Sequence, residues 1–531
     1  MADRQYSTPS GDIYERGNIY FESRSADNDG HLLSAATQAS GYKVAIDPNK
    51  ITDAESVYQK LSKVIAIDHD DFITKATKVK DPYEEVAHKV SKEQADAISS
   101  LKIAGVNIFK EKWRFYPGGS LASHALGLVA YKESELGGRY GLERQYDAEL
   151  KRNNNSPYVN FFAEVFSNIN KTLFTHERGE GNIVTTIEPA VQSFLETKLQ
   201  ETADKYQTDS IGGIIMNPTD GSIYALGVKP DFNPNDFSNS KTSTFSNPLV
   251  EGVLEFGSVV KPLVMAAALD VKVLTPQTKY NDTGQVIVEK HEIFNFDKKG
   301  RGPNTTMQDV LNQSLNTGMV FVEQKLGKQR LREYLLSYGI KDKTGIDLPN
   351  ETSGLVSNIL TSPREIEYAN AAFGQGIALT PIELVRALAS LGNGGNLVVP
   401  HVVKEIQYNS GLSKQMIYPT TRAKITPETS NEITQMLVTV MDKGLKVGLE
   451  HFSVAVKTGT AQVADNTNGG YYEDRHTHSF VGYFPAYAPK FIVFLYAVNP
   501  KGVLYAATTW TNPFLDITKF LLNYYEIPPD R

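Results

Sequence analysis

Cysteine is absent from the 531 residues of this chain. Its absence excludes disulfide bonds, cysteine nucleophiles and thiolate metal sites. A chain without thiols fits either a reducing compartment or a bacterial envelope protein. The remaining composition, with 40 % hydrophobic and 22 % charged residues, is that of an ordinary soluble globular protein. The length leaves room for about two to four domains.

Long apolar runs and dense basic blocks are also missing. The longest apolar runs, residues 263–269 and 491–498, are far shorter than the roughly 20 residues of a membrane span. The first residues do not resemble a signal peptide, because no basic segment is followed by an apolar one. The net charge of −7 gives little support to nucleic-acid binding. The chain is therefore either cytoplasmic or an envelope protein whose anchor has been removed.

The order of predicted elements indicates an α+β fold in two parts. Residues 1–182 combine extended segments with amphipathic helices in an insert at about 50–105, which is rich in alanine, lysine and glutamate. A hairpin or extended arm is expected after the polar residues 153–157. In residues 183–531 we expect an antiparallel sheet with helices packed on it.

Hydrophobic periodicity and breakers place the individual elements. Strands are predicted at 32–46, 110–116, 184–187, 212–226 (as a hairpin), 454–456, 479–484 and 491–498. Helices are predicted from Pro189 onward and at 307–312, 320–338, 381–391 and 514–525.

The segment from Gly257 to Leu269 contains the first candidate for catalysis. Glycine allows a sharp turn, after which Ser258 opens an alanine-rich run that is typical of a helix. Ser258 and Lys261 are three residues apart, so their side chains share one helical face. Serine needs an adjacent base to become a nucleophile. Lysine can be that base when burial or a neighbouring cation lowers its pKa.

The Ser-x-x-Lys pattern is not specific by itself. It also occurs at Ser99 and Lys102 and at Ser238 and Lys241. Neither of these copies follows a glycine or opens an apolar helix. The pattern at Ser258 therefore needs support from further motifs.

Ser314 and Asn316 form the only Ser-x-Asn sequence in the chain. They lie in the break between two predicted helices. On a loop facing Ser258, the hydroxyl could relay a proton and the amide could hold a substrate amide. The alternative is a helix cap, since serine and asparagine are preferred capping residues.

Lys-Thr-Gly occurs twice. The copy at 343–345 lies in a polar turn with no strand before it, so we interpret it as structural. Lys457, Thr458, Gly459 and Thr460 instead follow an alternating strand. There the lysine and threonines can line a strand edge, and the glycine allows close backbone approach by a substrate that pairs as an added strand.

Taken in order, these three motifs resemble the signatures of the penicillin-binding proteins and serine β-lactamases. The resemblance extends to residues 255–258, 374–381 and 479–485. In the first part, residues 16–19, 116–117, 124–127 and 141–144 resemble the pedestal of class B penicillin-binding proteins. The resemblance therefore covers nearly the whole chain. No segment resembling a glycosyltransferase domain precedes the pedestal, which argues against class A.

Two departures from the family pattern stand out. Residues 20–23 replace the usual Asp-Arg-Asn-Gly of the pedestal, and Phe256 replaces the usual proline before the active-site glycine. Neither affects a catalytic head group. By resemblance, the fold is a penicillin-binding transpeptidase domain at 183–531, with an antiparallel sheet, flanking helices and an all-helical subdomain. An elongated, dimerisation-like pedestal occupies residues 1–182.

The resemblance implies peptidoglycan D,D-transpeptidation on the D-alanyl-D-alanine end of stem peptides. Lys261 would take the proton as Ser258 attacks the penultimate carbonyl. Ser314, with Lys457 nearby, would protonate the leaving D-alanine. The backbone N–H groups of Ser258 and Thr460 would form the oxyanion hole.

For the substrate, the resemblance implies that Thr458 and Thr460 hold the terminal carboxylate and Asn316 the amide, with Gly459 between them on the strand. An amine of a second stem peptide would then attack the acyl-enzyme. No metal or organic cofactor is implied. His476 and His478 lack a third ligand and are interpreted as loop residues.

The resemblance also implies partners and a location. β-Lactam antibiotics would acylate and inhibit the enzyme, and cell-wall synthesis proteins such as a glycosyltransferase would bind it. Its place would be the extracytoplasmic face of the bacterial cytoplasmic membrane, with the anchor segment missing here. The C-terminal residues 513–529 slightly favour a role in cell division over a role in cell elongation.

Two alternatives remain. A serine β-lactamase or penicillin-sensing receptor would share the acylation step. A β-lactamase also needs a base for deacylation, which class A enzymes carry in a Glu-x-x-Leu-Asn loop, and no such loop lies between Asn316 and Lys457. Class A enzymes also usually have aspartate where this chain has Leu315. A non-catalytic cell-wall scaffold is the other alternative, although all the candidate head groups are present.

Overall fold

A computed structural model describes residues 15–24, 31–78, 80–132, 135–152, 179–465, 467 and 469–531. The hairpin or arm predicted after residue 153 lies, up to residue 178, outside the described residues. Within the described ranges no helix combines the length and the apolar content that a membrane span requires.

The strands of the described part are β1 (Ile19–Ser23), β2 (His31–Ile46), β3 (Glu84–Val90), β4 (Val106–Phe115), β5 (Val129–Lys132), β6 (Glu135–Gly138), β7 (Gly181–Thr185), β8 (Ser210–Met216), β9 (Ile223–Lys229), β10 (Lys279–Asp282), β11 (Gln285–Val288), β12 (His291–Phe294), β13 (Gly302–Thr306), β14 (Asn396–Leu397), β15 (Val403–Tyr408), β16 (Ser413–Gln415), β17 (Thr421–Arg422), β18 (Ala455–Ala464), β19 (Tyr471–Phe484) and β20 (Phe491–Val498).

The helices of the described part span Ala54–Leu61, His69–Ala76, Lys92–Ser100, Ser123–Leu126, Gly141–Gln145, Asp147–Leu150, Pro189–Tyr206, Pro248–Glu251, Lys261–Asp270, Met307–Asn312, Asn316–Leu326, Lys328–Ser337, Ser357–Thr361, Glu365–Ala371, Pro381–Gly392, Pro427–Thr439 and Ala506–Tyr524. Short 3-10 turns occur at Pro48–Lys50, Thr242–Phe245 and Gly257–Val260, and a π turn at Val440–Leu445.

A seven-stranded sheet joins the two parts of the chain. Its order is β16-β15-β7-β1-β2-β3, and β4 also pairs with β2. β1 and β7 are parallel, whereas the other pairs are antiparallel. The predicted division between residues 182 and 183 falls inside β7, and it stays a prediction.

A five-stranded antiparallel sheet forms the centre of the second part, in the order β18-β19-β20-β8-β9. β20 is buried over nearly its whole length because helices cover the sheet. The helices Pro189–Tyr206 and Ala506–Tyr524 lie together, and their Phe194 and Phe520 rings stack at 4.2 Å. The predicted α+β architecture is confirmed.

The helix Lys261–Asp270 is the central helix of the second part. All its residues except the last are buried, because four helices of 10 to 13 residues, Asn316–Leu326, Lys328–Ser337, Pro381–Gly392 and Pro427–Thr439, pack against it. A helix that is apolar on every side is stable only in such a position. The all-helical subdomain predicted for the second part is thus present.

Four details differ from the prediction. His476 and His478, which were interpreted as loop residues, both lie on β19. The helix predicted at 320–338 is two helices, which part at Gly327, where φ is +83° and an L side chain would be strained. The last helix begins at Ala506, eight residues before the predicted start, and includes Pro513. The helical insert at about 50–105 also contains strand β3, because β2 runs beyond β1 and offers β3 a pairing edge.

A buried ion cluster stabilises the pedestal, defined here as residues 1–182. Arg16 Nε and Arg114 Nε each donate to the Glu143 carboxylate at 2.6 Å. Tyr116 OH also donates to Glu143, at 3.2 Å. Burial alone would raise the pKa of Glu143, but the two guanidinium groups outweigh it and hold that pKa below its usual value.

We expect Glu143→Gln to lower the free energy of unfolding by about 3–5 kcal/mol. The change leaves the buried Arg114 guanidinium without a counter-charge among the described residues, and it leaves Arg16 with Asp147 alone, 2.8 Å away. Urea denaturation followed by circular dichroism measures this change. The matched control is Glu22→Gln, which breaks an exposed pair with Lys404 and should cost less than about 1 kcal/mol. Equal losses in both variants would contradict the importance of burial at Glu143.

Candidate active site

The turn before Ser258 depends on a glycine. Gly257 has φ +60°, and a Cβ at this position would lie 2.9 Å from the Thr460 carbonyl oxygen. A short 3-10 turn, Gly257–Val260, then leads into the helix Lys261–Asp270. Ser258 is only half-buried, so its hydroxyl lies at the surface of an otherwise buried turn.

Lys261 is fully buried, and its ammonium group points at the Ser-x-Asn motif. Lys261 Nζ donates to the Ser314 carbonyl oxygen at 2.6 Å and to Asn316 Oδ1 at 2.8 Å. A longer contact of 3.3 Å joins it to Ser314 Oγ. Within the described part, none of its hydrogen bonds goes to Ser258 Oγ. The two side chains share a turn, as the spacing predicts, but they are not hydrogen-bonded to each other.

Ser314 lies in the break between the helices Met307–Asn312 and Asn316–Leu326, where the sequence predicts it. Its φ is +54°, a left-handed conformation that is uncommon outside glycine. Ser314 Oγ lies between two lysines, 3.3 Å from Lys261 Nζ and 3.0 Å from Lys457 Nζ. The helix that follows has no side-chain cap, so the capping interpretation of this motif is wrong.

The second Lys-Thr-Gly copy lies on β18, on the opposite side of the site from the Ser-x-Asn motif. Besides Ser314, Lys457 Nζ donates to the Thr458 carbonyl oxygen at 2.8 Å. A Cβ at Gly459 would lie 2.3 Å from the Phe256 carbonyl oxygen, so the strand touches the backbone of the Ser258 turn. Thr458 and Thr460 are each half-buried.

The first Lys-Thr-Gly copy is a turn, as predicted. Thr344 Oγ1 donates to the Glu351 carboxylate at 2.6 Å, and Gly345 has φ +82°. Its residues take no part in the contacts around Ser258.

Both buried lysines have lowered pKa values. Burial lowers the pKa of Lys261 well below its ordinary value, and the charge of Lys457 lowers it further. Burial alone lowers the pKa of Lys457 to about 7. A neutral amine has two N–H donors and one lone pair. The two shortest bonds of Lys261 go to oxygens that only accept, which leaves the lone pair for a hydroxyl.

Ser479 is a positioning residue that the sequence reasoning did not identify. Its Oγ donates to the Phe256 carbonyl oxygen at 2.9 Å and lies 3.3 Å from that of Gly459. It therefore fixes the Ser258 turn against β18. On the other side, Gly257 N donates to the Gly374 carbonyl oxygen at 3.2 Å. The only available signal was that Gly374 and Ser479 begin two of the segments that carry the resemblance.

The structure thus brings all eight predicted site residues to one place. Lys261, Ser314, Asn316 and Lys457 form one hydrogen-bonded group. The two residues before Ser258, Phe256 and Gly257, lie against the backbone of Gly459 and Thr460. Asn316 Nδ2 donates to the Phe294 carbonyl oxygen at 3.0 Å, and Thr460 Oγ1 accepts from Ala506 N at 3.2 Å. A nucleophile, two amines of lowered pKa and polar groups on both walls suit acyl transfer.

Two family models match the chain. The model of the penicillin-binding protein transpeptidase domain matches residues 211–518. The model of the penicillin-binding protein dimerisation domain matches residues 14–185. The transpeptidase match alone covers more than half of the chain.

Curated relatives match along most of the sequence. Stage V sporulation protein D of Bacillus subtilis is 30 % identical over 523 residues, covering 94 % of this chain and 77 % of that protein. Peptidoglycan D,D-transpeptidase FtsI of Buchnera aphidicola is 26 % identical over 519 residues, covering 94 % of this chain and 86 % of that protein.

Solved structures share the fold. Penicillin-binding protein 3 of Mycobacterium tuberculosis, in a complex with aztreonam, aligns with TM-score 0.73 at 20 % identity and covers 98 % of each chain. Penicillin-binding protein 2X of Streptococcus thermophilus aligns with TM-score 0.74 at 21 % identity, over 98 % of this chain and 80 % of that one. By its two family matches and its relatives, this chain belongs to the penicillin-binding proteins that combine a dimerisation domain with a transpeptidase domain.

Proposed function

We propose that the chain is a peptidoglycan D,D-transpeptidase that cross-links stem peptides through a Ser258 acyl-enzyme and is inhibited by β-lactams. Relatives from Buchnera and Escherichia coli carry the name peptidoglycan D,D-transpeptidase. Structural neighbours have been solved in complexes with aztreonam and ampicillin. The activity therefore has support from the family as well as from the site.

The observation that carries this proposal is the meeting of two buried lysines at one serine oxygen. Lys261 and Lys457 both contact Ser314 Oγ, and burial lowers the pKa of each. Amines of lowered pKa can accept and return protons near neutral pH. Such an arrangement beside an accessible serine supports general base catalysis of acylation.

In the acylation step, Ser258 Oγ attacks the carbonyl carbon of the penultimate D-alanine and its proton passes to neutral Lys261. The backbone N–H groups of Ser258 and Thr460 hold the oxyanion, a contribution of about 3–4 kcal/mol for each donor. The C–N bond then breaks, and the departing amine of the terminal D-alanine receives a proton through Ser314, which lies between the two lysines.

The cross-link forms in the second step. An amine of another stem peptide attacks the Ser258 ester, a new amide bond forms, and the ester C–O bond breaks. The proton of the attacking amine returns to Ser258 Oγ through the same lysine and serine groups. This sequence of steps uses only the side chains and backbone of the site.

Substrate binding is assigned to the two sides of the site, β18 on one side and the Ser314–Asn316 motif on the other. Thr458 and Thr460 hold the terminal carboxylate. Thr460 Oγ1 already accepts from Ala506 N, so its O–H is available to donate. Asn316 lies on the opposite wall and holds the amide that precedes the scissile bond.

The cellular location, the partners and the cellular role of the protein are proposed from its family alone. The protein acts in the bacterial cell envelope, on the extracytoplasmic face of the cytoplasmic membrane. It works with cell-wall synthesis proteins such as a glycosyltransferase, and the pedestal of residues 1–182 is the part proposed to bind them. We favour a division role over an elongation role.

The first test is intact mass after addition of benzylpenicillin. We expect one covalent adduct that persists for hours, because a transpeptidase without its acceptor amine cannot release the acyl group. Ser258→Ala should abolish the adduct. Ser238→Ala, at another Ser-x-x-Lys copy, is the matched control and should leave it unchanged.

Other outcomes of the same measurement identify the alternatives. An adduct that forms and clears within seconds would indicate a β-lactamase. An adduct that persists in Ser258→Ala would reject Ser258 as the nucleophile. No adduct in the unmodified protein would favour the scaffold interpretation.

The acylation rate should rise with pH, because only the neutral form of Lys261 takes a proton. Lys457→Met removes the like charge that depresses the pKa of Lys261. The rise should therefore move to higher pH in this variant, besides the lower rate that follows from losing a catalytic group. Stopped-flow acylation between pH 5.5 and 9 measures the midpoint. A midpoint that stays in place would reject the electrostatic coupling of the two lysines.

Gly459→Ala should lower the acylation rate by about 100-fold or more. Its Cβ would meet Phe256 O at 2.3 Å and Ser479 Oγ at 2.4 Å, so β18 must move away from the Ser258 turn. Gly137→Ala, whose Cβ would meet no described atom closer than 3.5 Å, is the control and should keep the normal rate. A Gly459→Ala protein of normal rate would show that the close approach is not needed.

A further inference from the structure

The helix that carries Asn316 begins without a cap from the residue before it. Leu315 offers no side-chain hydrogen bond to the first turn of Asn316–Leu326. The first N–H groups of a helix require acceptors, which a preceding serine, threonine, aspartate or asparagine usually provides. Ser314 is a residue of this type, but its Oγ contacts Lys261 and Lys457 instead. An acceptor for this helix therefore has to come from elsewhere in the chain.

Asn295, 22 residues before Thr317, provides an acceptor for this first turn. Thr317 N donates to Asn295 Oδ1 at 3.2 Å. Asn295 directly follows β12 and is 1 % exposed. Phe294, the last residue of β12, accepts from Asn316 Nδ2 at 3.0 Å through its carbonyl oxygen. Two consecutive residues of this segment thus hold the first two residues of the helix.

Asp282 determines which way the Asn295 amide faces. Asn295 Nδ2 donates to the two carboxylate oxygens of Asp282 at 3.0 and 3.1 Å. A carboxylate accepts hydrogen bonds and does not donate them, so the amide turns its Nδ2 toward Asp282. Its Oδ1 then faces the helix, where Thr317 N requires an acceptor. The reversed amide would place acceptors together at Asp282 and donors together at the helix.

The Asp282 carboxylate is itself held in place. It is 2 % exposed and accepts from Thr317 Oγ1 at 2.8 Å, from Gly284 N at 3.0 Å and from Arg301 N at 3.1 Å. The Arg301 guanidinium is paired with Asp297 at 2.9 Å. A negative charge beside the N-terminus of a helix is also favourable. Asp282 is therefore a fixed point from which the start of the helix is oriented.

The reactive groups of the site depend on this orientation. Asn316 Oδ1 accepts from Lys261 Nζ at 2.8 Å, and one N–H of its Nδ2 goes to the Phe294 carbonyl oxygen. The second N–H of Nδ2 is left for a substrate. Because Asn295 caps the helix from a distance, Ser314 Oγ remains available to the lysines.

We propose that Asp282 and Asn295 are positioning residues of the acylation reaction. They cap the helix Asn316–Leu326 from a distance, and in this way they orient Asn316 and leave Ser314 free for proton transfer. Neither residue touches the substrate. This inference rests on the proposed function, because it concerns the same acylation of Ser258.

The test measures the second-order rate constant for acylation of Ser258 by benzylpenicillin, by quenched-flow mass spectrometry. Asn295→Ala should lower this constant about 10- to 100-fold, since a misplacement of about 1 Å has an effect of that size. Asn316→Ala should lower it as well. The double variant should be within about twofold of the slower single variant, because Asn295 acts through the start of the helix that carries Asn316. Effects that multiply, or an unchanged constant in Asn295→Ala, would overturn the proposal.

Asn393→Ala is the matched control. The Asn393 amide also bridges two segments, since its Nδ2 donates to the Pro218 carbonyl oxygen at 2.7 Å and its Oδ1 accepts from Asn396 N at 2.8 Å. The thermal unfolding midpoint of each variant is measured alongside. Asn393→Ala should keep the normal acylation constant whatever its midpoint. An acylation constant that falls in both variants in proportion to the midpoint would overturn the positioning role.

Asn295→Asp tests the donor and acceptor pattern with a side chain of nearly the same shape. Two facing carboxylates share one proton at low pH, because each raises the pKa of the other. The shared proton replaces the amide N–H, and at higher pH both groups ionise and repel. The ratio of this variant's acylation constant to that of the unmodified protein should therefore fall at least about tenfold between pH 5.5 and 8.5. A ratio that does not change with pH would overturn the proposal.

The exchange variant Asp282→Asn with Asn295→Asp restores one amide and one carboxylate. The carboxylate now accepts from Thr317 N, and the amide donates to it. The ratio should then no longer depend on pH, and a ratio that still falls would overturn the proposal. If the unmodified protein forms no adduct, the proposed function itself fails. If it forms the adduct and Asn295→Ala reacts equally fast, only the positioning role fails.

Discussion

Two lysines without a counter-charge are buried at the centre of this protein. Lys261 is fully buried and Lys457 is 2 % exposed. Their hydrogen-bond partners in the described part of the chain are neutral oxygens of Ser314, Asn316 and Thr458. A buried ammonium group without an ion pair costs several kcal/mol, so the fold is compatible with these lysines chiefly in their neutral form. The constraint that opposes folding therefore also supplies two amines that can accept protons, as is common at functional sites.

The position of these amines depends on close contacts between segments that are far apart in the sequence. Gly459 lets β18 touch the carbonyl oxygen of Phe256, and Ser479 then hydrogen-bonds that oxygen. Ser314 adopts a left-handed conformation, which turns its carbonyl oxygen and its Oγ toward Lys261. A strained serine costs about 1–3 kcal/mol and persists only where neighbouring contacts determine it. Here the hydrogen bonds between the two buried lysines and Ser314 provide those contacts and hold the serine in one geometry.

Much of this site was predictable because each motif has a local signal. Ser314 lies in a break between helices, Asn316 begins the second of them, and Lys457 lies near the start of β18, so all three motif positions could be placed from periodicity. Helical spacing says only that the side chains of Ser258 and Lys261 share a face, and among the described contacts no hydrogen bond joins them. Lys261 turns instead to Ser314, 53 residues away. Ser479 had no signal in periodicity, because its role comes from tertiary contacts across the sheet.

The elements of the fold, too, could be predicted only where the local sequence pattern is strong. β2 and the helix Pro381–Gly392 were well predicted, since a long alternating segment and a Pro-to-Gly helical segment are strong signals. The break at Gly327 was missed because a single glycine inside an apolar pattern is often tolerated. The early start of the last helix at Ala506 depends on its contact with Thr460 and His478. No pattern in the sequence before Phe514 predicts that contact.

The pedestal and the catalytic part share one hydrogen-bonded sheet. β7 is parallel to β1 on one side and antiparallel to β15 on the other, so one hydrogen-bonded sheet crosses the predicted boundary. Beside it, the buried Asp347 carboxylate accepts from Val402 N and Val403 N at 2.8 Å, and Tyr146 OH of the pedestal lies 3.4 Å away. A movement of β1 in the pedestal would therefore displace β7, and with it β15 of the catalytic part.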